Sequence, residues 1–209
     1  MRSAAFALLA LLVAAPALGQ ESGVPVRLAF NEYRDLALAG DGPGVLGAVS
    51  ASTVAYYDQA IEAALDADSA AVAGLPFMDR LLVLSLRLRM RPADLRRTSG
   101  AEVLTTGVEK GWIDPGAMAR MDIGDVDVEG DLAVGRLVRE GTPLMDTWLR
   151  FAREGGKWKV DLTSLADVVS YAVESAGPSG PAPDALLALM LEGIADGPLP
   201  GDLWRPVGR

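Results

Sequence analysis

Four runs of alternating residues in the second half of the chain constrain its fold more than any other feature. Residues 121–128 (MDIGDVDV), 132–140 (LAVGRLVRE), 143–154 (PLMDTWLRFARE) and 157–162 (KWKVDL) follow one another, with breaks at Glu129-Gly130-Asp131, Gly141-Thr142 and Gly155-Gly156. Alternation with period 2 sends successive side chains to opposite faces of a strand, and short glycine breaks join antiparallel neighbours. These residues therefore predict a four-strand antiparallel meander. Gly124 predicts a bulge, because without one Ile123 would share a face with Asp125, Asp127 and Glu129.

Residues 26 to 110 have a different period. Val26, Phe30, Tyr33 and Ala37 form one stripe of a helix from Val26 to Ala39, stopped by Gly40. Ser52 is placed to cap a second helix bearing Val54, Tyr57, Ile61 and Leu65, and Gly44 to Leu65 reads as helix. Pro76 suits the first turn of a third helix that runs to Met90 and ends before Pro92. A short helix from Ala101 to Lys110 precedes Gly111-Trp112, and Ser164 is placed to cap another that runs to Ser175. Helices first and an antiparallel meander later make the fold class α+β. Gly177 to Pro183 is rich in Gly and Pro and reads as a linker, followed by an apolar tail helix from Asp184 within residues 184–209.

At the N-terminus, Arg2 precedes the apolar run Ala4–Ala15, Pro16 breaks it, and Ala17-Leu18-Gly19 offers small residues to a signal peptidase. Residues 1–19 thus read as a signal peptide, residues 20–176 as the main domain, and the location as a bacterial periplasm or the extracellular space. A bilayer span takes roughly 20 apolar residues, and no later stretch is long and charge-free enough to supply one. The chain has 209 residues, no His, no Cys and a net charge of −9. Without Cys there is no disulfide, thiolate nucleophile or thiolate metal site, and without His there is no Ser-His-Asp triad. An acidic chain also lacks the basic surface that nucleic acid requires. No cofactor and no metal are expected. Any acid–base chemistry falls to Asp, Glu, Tyr or Lys.

The order of these elements carries a resemblance. A helix ending Tyr33-…-Leu38-Ala39-Gly40-Asp41 is followed by further helices, then by a meander finishing Arg150-Phe151-…-Gly155-Gly156-Lys157-Trp158-Lys159-Val160-Asp161-Leu162. From Val26 to Ser164 this resembles the nuclear transport factor two-like superfamily, which implies a cone of curved antiparallel sheet around helices. That superfamily includes ketosteroid isomerase, dehydratases, epoxide hydrolases, polyketide cyclases and many binding or dimerisation modules, so the fold does not name a function. Ketosteroid isomerase carries an oxyanion-binding tyrosine on the helix before its Ala-Gly-Asp turn, and Tyr33 matches that place. Its aspartate base stands on a strand after the turn, where this chain reads as helix. Asp146 falls near the position of its partner acid, one residue out of register with Phe151, and one residue on a strand changes the face.

Several residue groups are candidates for chemistry. Asp125, Asp127 and Glu129 would suit calcium, but the twelfth position of such a loop is Arg136 and the intervening valines favour a solvated strand face. Arg80, Arg87, Arg89, Arg91, Arg96 and Arg97 concentrate positive charge, and the helical stripe of Arg80, Arg87 and Arg91 offers either a site for an anionic ligand or lipid headgroup or a solvated stripe paired with carboxylates; the second is the expectation. Asp161, opposite Trp158 and beside Lys157 and Lys159, suits a surface ion-pair ladder. Tyr33, Trp112, Trp148 and Asp146 are the residues expected to line a pocket if the cone is open. The tail helix carries Leu186, Leu187, Leu189, Met190 and Leu191 and no basic residue, which favours packing on its own domain or a dimer mate over a membrane surface. With no complete catalytic set, the expected function is a binding or assembly module holding a small apolar ligand or a protein partner, with a homodimer as one form. The alternative is an Asp/Tyr-dependent lyase, isomerase or hydrolase acting on a small hydrophobic molecule.

Overall fold

The computed structural model describes residues 23–112, 119–176 and 182–207. The expected signal peptide and most of the Gly/Pro linker lie outside the described residues. In chain order the elements are α1 (Val24–Leu38), α2 (Gly42–Ala48), α3 (Ala51–Asp66), α4 (Ser69–Ala73), α5 (Phe77–Arg89), α6 (Pro92–Leu95) and α7 (Gly100–Glu109). They continue with β1 (Met121–Glu129), β2 (Leu132–Arg139), β3 (Thr142–Glu154), β4 (Lys157–Asp161), α8 (Thr163–Glu174) and α9 (Pro183–Ala195). The fold is α+β, with the helices ahead of an antiparallel sheet ordered β1-β2-β3-β4.

The bulge falls where Gly124 predicts it, with register lost between Ile123 and Val126. Ile123 is buried, Val126 and Val128 pack towards the core, and Asp125, Asp127 and Glu129 are exposed. A second shift lies between Arg136 and Val138, where β3 carries extra residues opposite β2 around Asp146.

Two apolar cores form. In the first, Val26, Phe30 and Tyr33 of α1 lie on the sheet face made by Ile123, Ala133, Leu137, Leu149, Phe151 and Val160. The second is all-helical: Ala60, Ile61 and Ala64 of α3 meet Phe77, Leu81, Leu84 and Leu86 of α5. Leu187 and Leu191 of α9 complete it, both essentially inaccessible. The tail helix therefore covers its own domain, and burying each leucine contributes roughly 1.5–3 kcal/mol. α3 and α7 join the cores: Leu104 and Val108 serve the first while Val103 serves the second, and Tyr57 touches both.

The structure corrects four expectations. Gly44 to Leu65 is two helices, not one. Val49 is extended and forms a parallel bridge with Val160, and the Ser50 amide donates to the Val160 carbonyl at 2.9 Å. Ser50 rather than Ser52 then caps α3, accepting from the Thr53 amide. Ser164 does not cap α8; its Oγ accepts from the Arg150 amide and donates to the Asp161 carbonyl at 2.8 Å. Asp161 takes the capping role, its Oδ1 accepting from the Thr163 amide at 3.0 Å and from Thr163 Oγ1 at 2.7 Å. Finally, Arg80 and Arg87 are not solvated: each is 8% exposed. Arg87 donates to the carbonyls of Ala64 and Ala67 at the end of α3, where helical N–H groups run out, to that of Ala63, which also accepts from the Ala67 amide, and to that of Leu203. Arg80 reaches Asp184 at 2.7 Å and ties α5 to α9. Arg91 alone of the three is exposed, paired with Asp94 at 2.8 Å.

Candidate functional site

The groove begins with the spacing of residues on α5. Met78, Leu82, Ser85 and Arg89 recur at helical intervals, flanked by Leu81 and Leu86, and together they form its floor. Tyr57 of α3 and Val103, Leu104 and Gly107 of α7 make one wall, and Met190 and Ile194 of α9 make the other. The groove has a volume of about 460 Å³. Trp112 closes one end, and the termination of α7 explains how it gets there. Gly111 takes a left-handed conformation at φ 64°, its amide donates to the Val108 carbonyl, and the Trp112 amide donates to the Gly107 carbonyl at 2.8 Å. This paired hydrogen-bonding turns the chain back over the helix. The indole lies over Gly107, where a Cβ would stand 3.4 Å from its ring.

The lining is apolar apart from the Tyr57 phenol, the Trp112 indole, Ser85 and Arg89, and none of the described lining residues is acidic. Arg89 stacks its guanidinium 4.8 Å from the Trp112 ring centre, and Lys110 approaches the same ring at 6.0 Å. Burial lowers the Arg89 pKa but leaves the group cationic. Burial pushes the Tyr57 phenol up to about 12, so it is a neutral hydrogen-bond donor at physiological pH.

The four residues expected to line a pocket do not converge. Trp112 lines this groove. Tyr33 is buried in the sheet core, where burial first, and then neighbouring Tyr57, raise its pKa. Trp148 is half-buried on the opposite face of β3 from Leu149, beneath Arg136, whose guanidinium is 5.5 Å from its ring centre. The side chain of Asp146 lies outside the description. Asp161 meets Arg150 across the strands at 3.6 Å rather than either lysine, while Lys159 pairs with Glu154 at 3.8 Å. Arg150 also reaches Asp167 at 3.0 Å. The outer-face carboxylates Asp161 and Asp167 thus share a cation.

A tyrosine and an acid do meet elsewhere. The Tyr56 hydroxyl donates to Asp79 Oδ1 at 2.6 Å beside a small cavity of about 110 Å³ between α3 and α5. Burial and that hydrogen bond both raise the Tyr56 pKa. The pair works as an inter-helix tie, with a charge-assisted bond.

Sequence reading singled out Trp112 alone of the groove. Met78, Ser85 and Ile194 carry no sequence signal of their own, while Tyr57, Arg89 and Met190 stand out only as members of a helix face, an arginine cluster and an apolar tail strip. The α5 stripe Met78-Leu82-Ser85-Arg89 was the available signal, since its polar members sit on an otherwise apolar line. Comparison of the chain with protein-family models, curated proteins and solved structures finds no match in any of the three.

Proposed function

We propose that this chain is an exported, non-catalytic binding module of the nuclear transport factor two-like kind that holds a small apolar ligand between α3, α5, α7 and α9. The reading rests above all on the groove: about 460 Å³, walled by aliphatic, Met and aromatic side chains, with a few polar groups at fixed places. Small-molecule sites in proteins have this size and this lining. The helices ahead of a four-strand antiparallel meander support the family reading, and the Arg2, Ala4–Ala15 and Ala17-Leu18-Gly19 pattern supports export. Within the export reading, N-terminal sequencing of secreted chain begins at Gln20.

The alternative, an Asp/Tyr-dependent lyase, isomerase or hydrolase, needs a carboxylate within reach of the bound molecule. The described lining of the groove offers none, and Asp79, which does meet a tyrosine, lies at the smaller cavity. Titration with Nile red, a neutral apolar dye, tests the binding reading. One equivalent binds the wild-type chain with a blue-shifted emission, and Ser85→Phe, which fills the floor of the groove, abolishes it while leaving the far-UV circular dichroism unchanged. A wild-type chain that binds no dye and releases no apolar compound on organic extraction rules the reading out.

A further inference from the structure

α5 carries two arginines, two residues apart, with opposite fates. Arg87 is spent on structure, its guanidinium donating to four backbone carbonyls. Arg89, on the groove side, donates to no acceptor and meets no carboxylate among the described residues; its one partner is the face of Trp112. Lys110, the second cation at that ring, likewise has no carboxylate partner among the described residues. In a chain of net charge −9, the other described cations near acids are already engaged: Arg80 with Asp184, Arg91 and Arg97 with Asp94, Arg150 with Asp161 and Asp167, Lys159 with Glu154. Among the described residues, one end of an otherwise apolar groove is therefore positive and unneutralised. A guanidinium held flat by an aromatic ring keeps its N–H edge free for a planar anion.

Building on the apolar-ligand reading above, we infer that the ligand is a single-chain amphiphile with a carboxylate head, its head on Arg89 and its alkyl chain over Met78, Leu82 and Met190. A neutral apolar molecule would leave Arg89 half-buried and unpaired, whereas a fatty-acid-type carboxylate supplies the missing acceptor and puts only methylene groups against the walls. Lys110 adds a second positive charge at the head end, and the Tyr57 phenol can donate only to an acceptor, which again suits an anion or ether oxygen over a cation.

Decanoate and decanol, which share an alkyl chain and differ in charge, test this by titration against Trp fluorescence at low salt. Decanoate binds the wild-type chain about tenfold or more tightly than decanol, the size of a hydrogen bond to a charged group. Arg89→Gln weakens decanoate much more than decanol and so removes that difference, and Arg89→Lys, which keeps the charge, retains most of it. Raising the ionic strength narrows the gap in the wild-type chain and leaves decanol alone. Equal wild-type affinity for the two probes overturns the carboxylate inference while the apolar groove stands, and so does an Arg89→Gln variant that weakens both probes alike. Failure of decanoate, decanol and Nile red together overturns the groove reading itself.

Discussion

The contrast between Arg87 and Arg89 shows how little a residue type says about its role until its acceptors are known. The carbonyls of Ala64 and Ala67 close α3, and the last turn of any helix leaves such groups without intrahelical partners; that of Ala63 already accepts from the Ala67 amide. Arg87 reaches them from α5 and simultaneously holds Leu203, so one side chain satisfies a helix end and anchors the terminal segment. Arg87→Met keeps the volume but strands these acceptors. It costs about 3–5 kcal/mol, seen as a lower urea midpoint at unchanged m. A loss below about 1 kcal/mol would mean water serves the carbonyls equally well. Tyr57 gives a second residue-scale prediction. Its folded pKa of about 12 lies above the ordinary tyrosine value, so the folded state keeps a proton that the unfolded chain has lost once pH passes about 10. Its contribution is complete below pH 10 and is lost as pH rises towards 12, at up to about 1.4 kcal/mol per pH unit. Tyr33 and Tyr56 shift in the same direction and steepen the fall. Urea melts between pH 8 and 11.5 measure it, and Tyr57→Phe makes the alkaline limb shallower.

At the scale of elements, the tightest constraint is the crossing of α3 and α7. Gly100 opens α7 against α3, and a Cβ there would run into the Val54 carbonyl and stand 2.7 Å from the Asp58 amide. Both obstacles are backbone and cannot rotate away, so Gly100→Ala forces the helices apart at a cost of about 1–3 kcal/mol in chemical denaturation. Because α7 carries Val103, Leu104 and Gly107 to the groove, the same variant weakens Nile red binding, while a surface change such as Glu109→Ala leaves both measurements unaltered. This geometry also explains what was legible in the sequence. Strand and helix spans were readable because their period is set locally: the meander, the bulge at Gly124 and the ends of α1 and α5 follow from alternation, from Gly40 and from Pro92. Caps were misplaced by two or three residues where two candidates stood close together. Whether Ser50 or Ser52 starts α3 depends on Val49 pairing with Val160, and whether Ser164 or Asp161 caps α8 depends on β3, through the Arg150 amide. The groove was out of reach for the same reason, since its walls come from α3 and α9, which are distant in sequence and are both packed on α5.

For the whole molecule, the question is whether two cores make two cooperative units. The sheet core and the helical core each hold a contiguous set of buried side chains, and a boundary between them would permit separate unfolding. Three features oppose that. α7 gives Leu104 and Val108 to one core and Val103 to the other, so neither can lose the helix without exposing the second. Tyr57 packs against both, and α3 is stitched to β4 and the residue after it through Thr53, whose hydroxyl donates to the Val160 carbonyl and accepts from the Leu162 amide at 2.9 Å. The last segment of the chain is itself bound into the helical core: Arg80 binds Asp184, and Leu187 sits with Phe77 and Leu81. The chain therefore melts in one transition, with far-UV circular dichroism and Trp fluorescence coincident. Leu187→Ala, in the helical core, removes about 2–5 kcal/mol and moves both probes together. If fluorescence from the sheet residues Trp148 and Trp158, isolated by replacing Trp112 and Trp204 with Phe, melts at its old midpoint while the helical signal falls, the cores are independent, and the groove belongs to a unit that can open without the sheet.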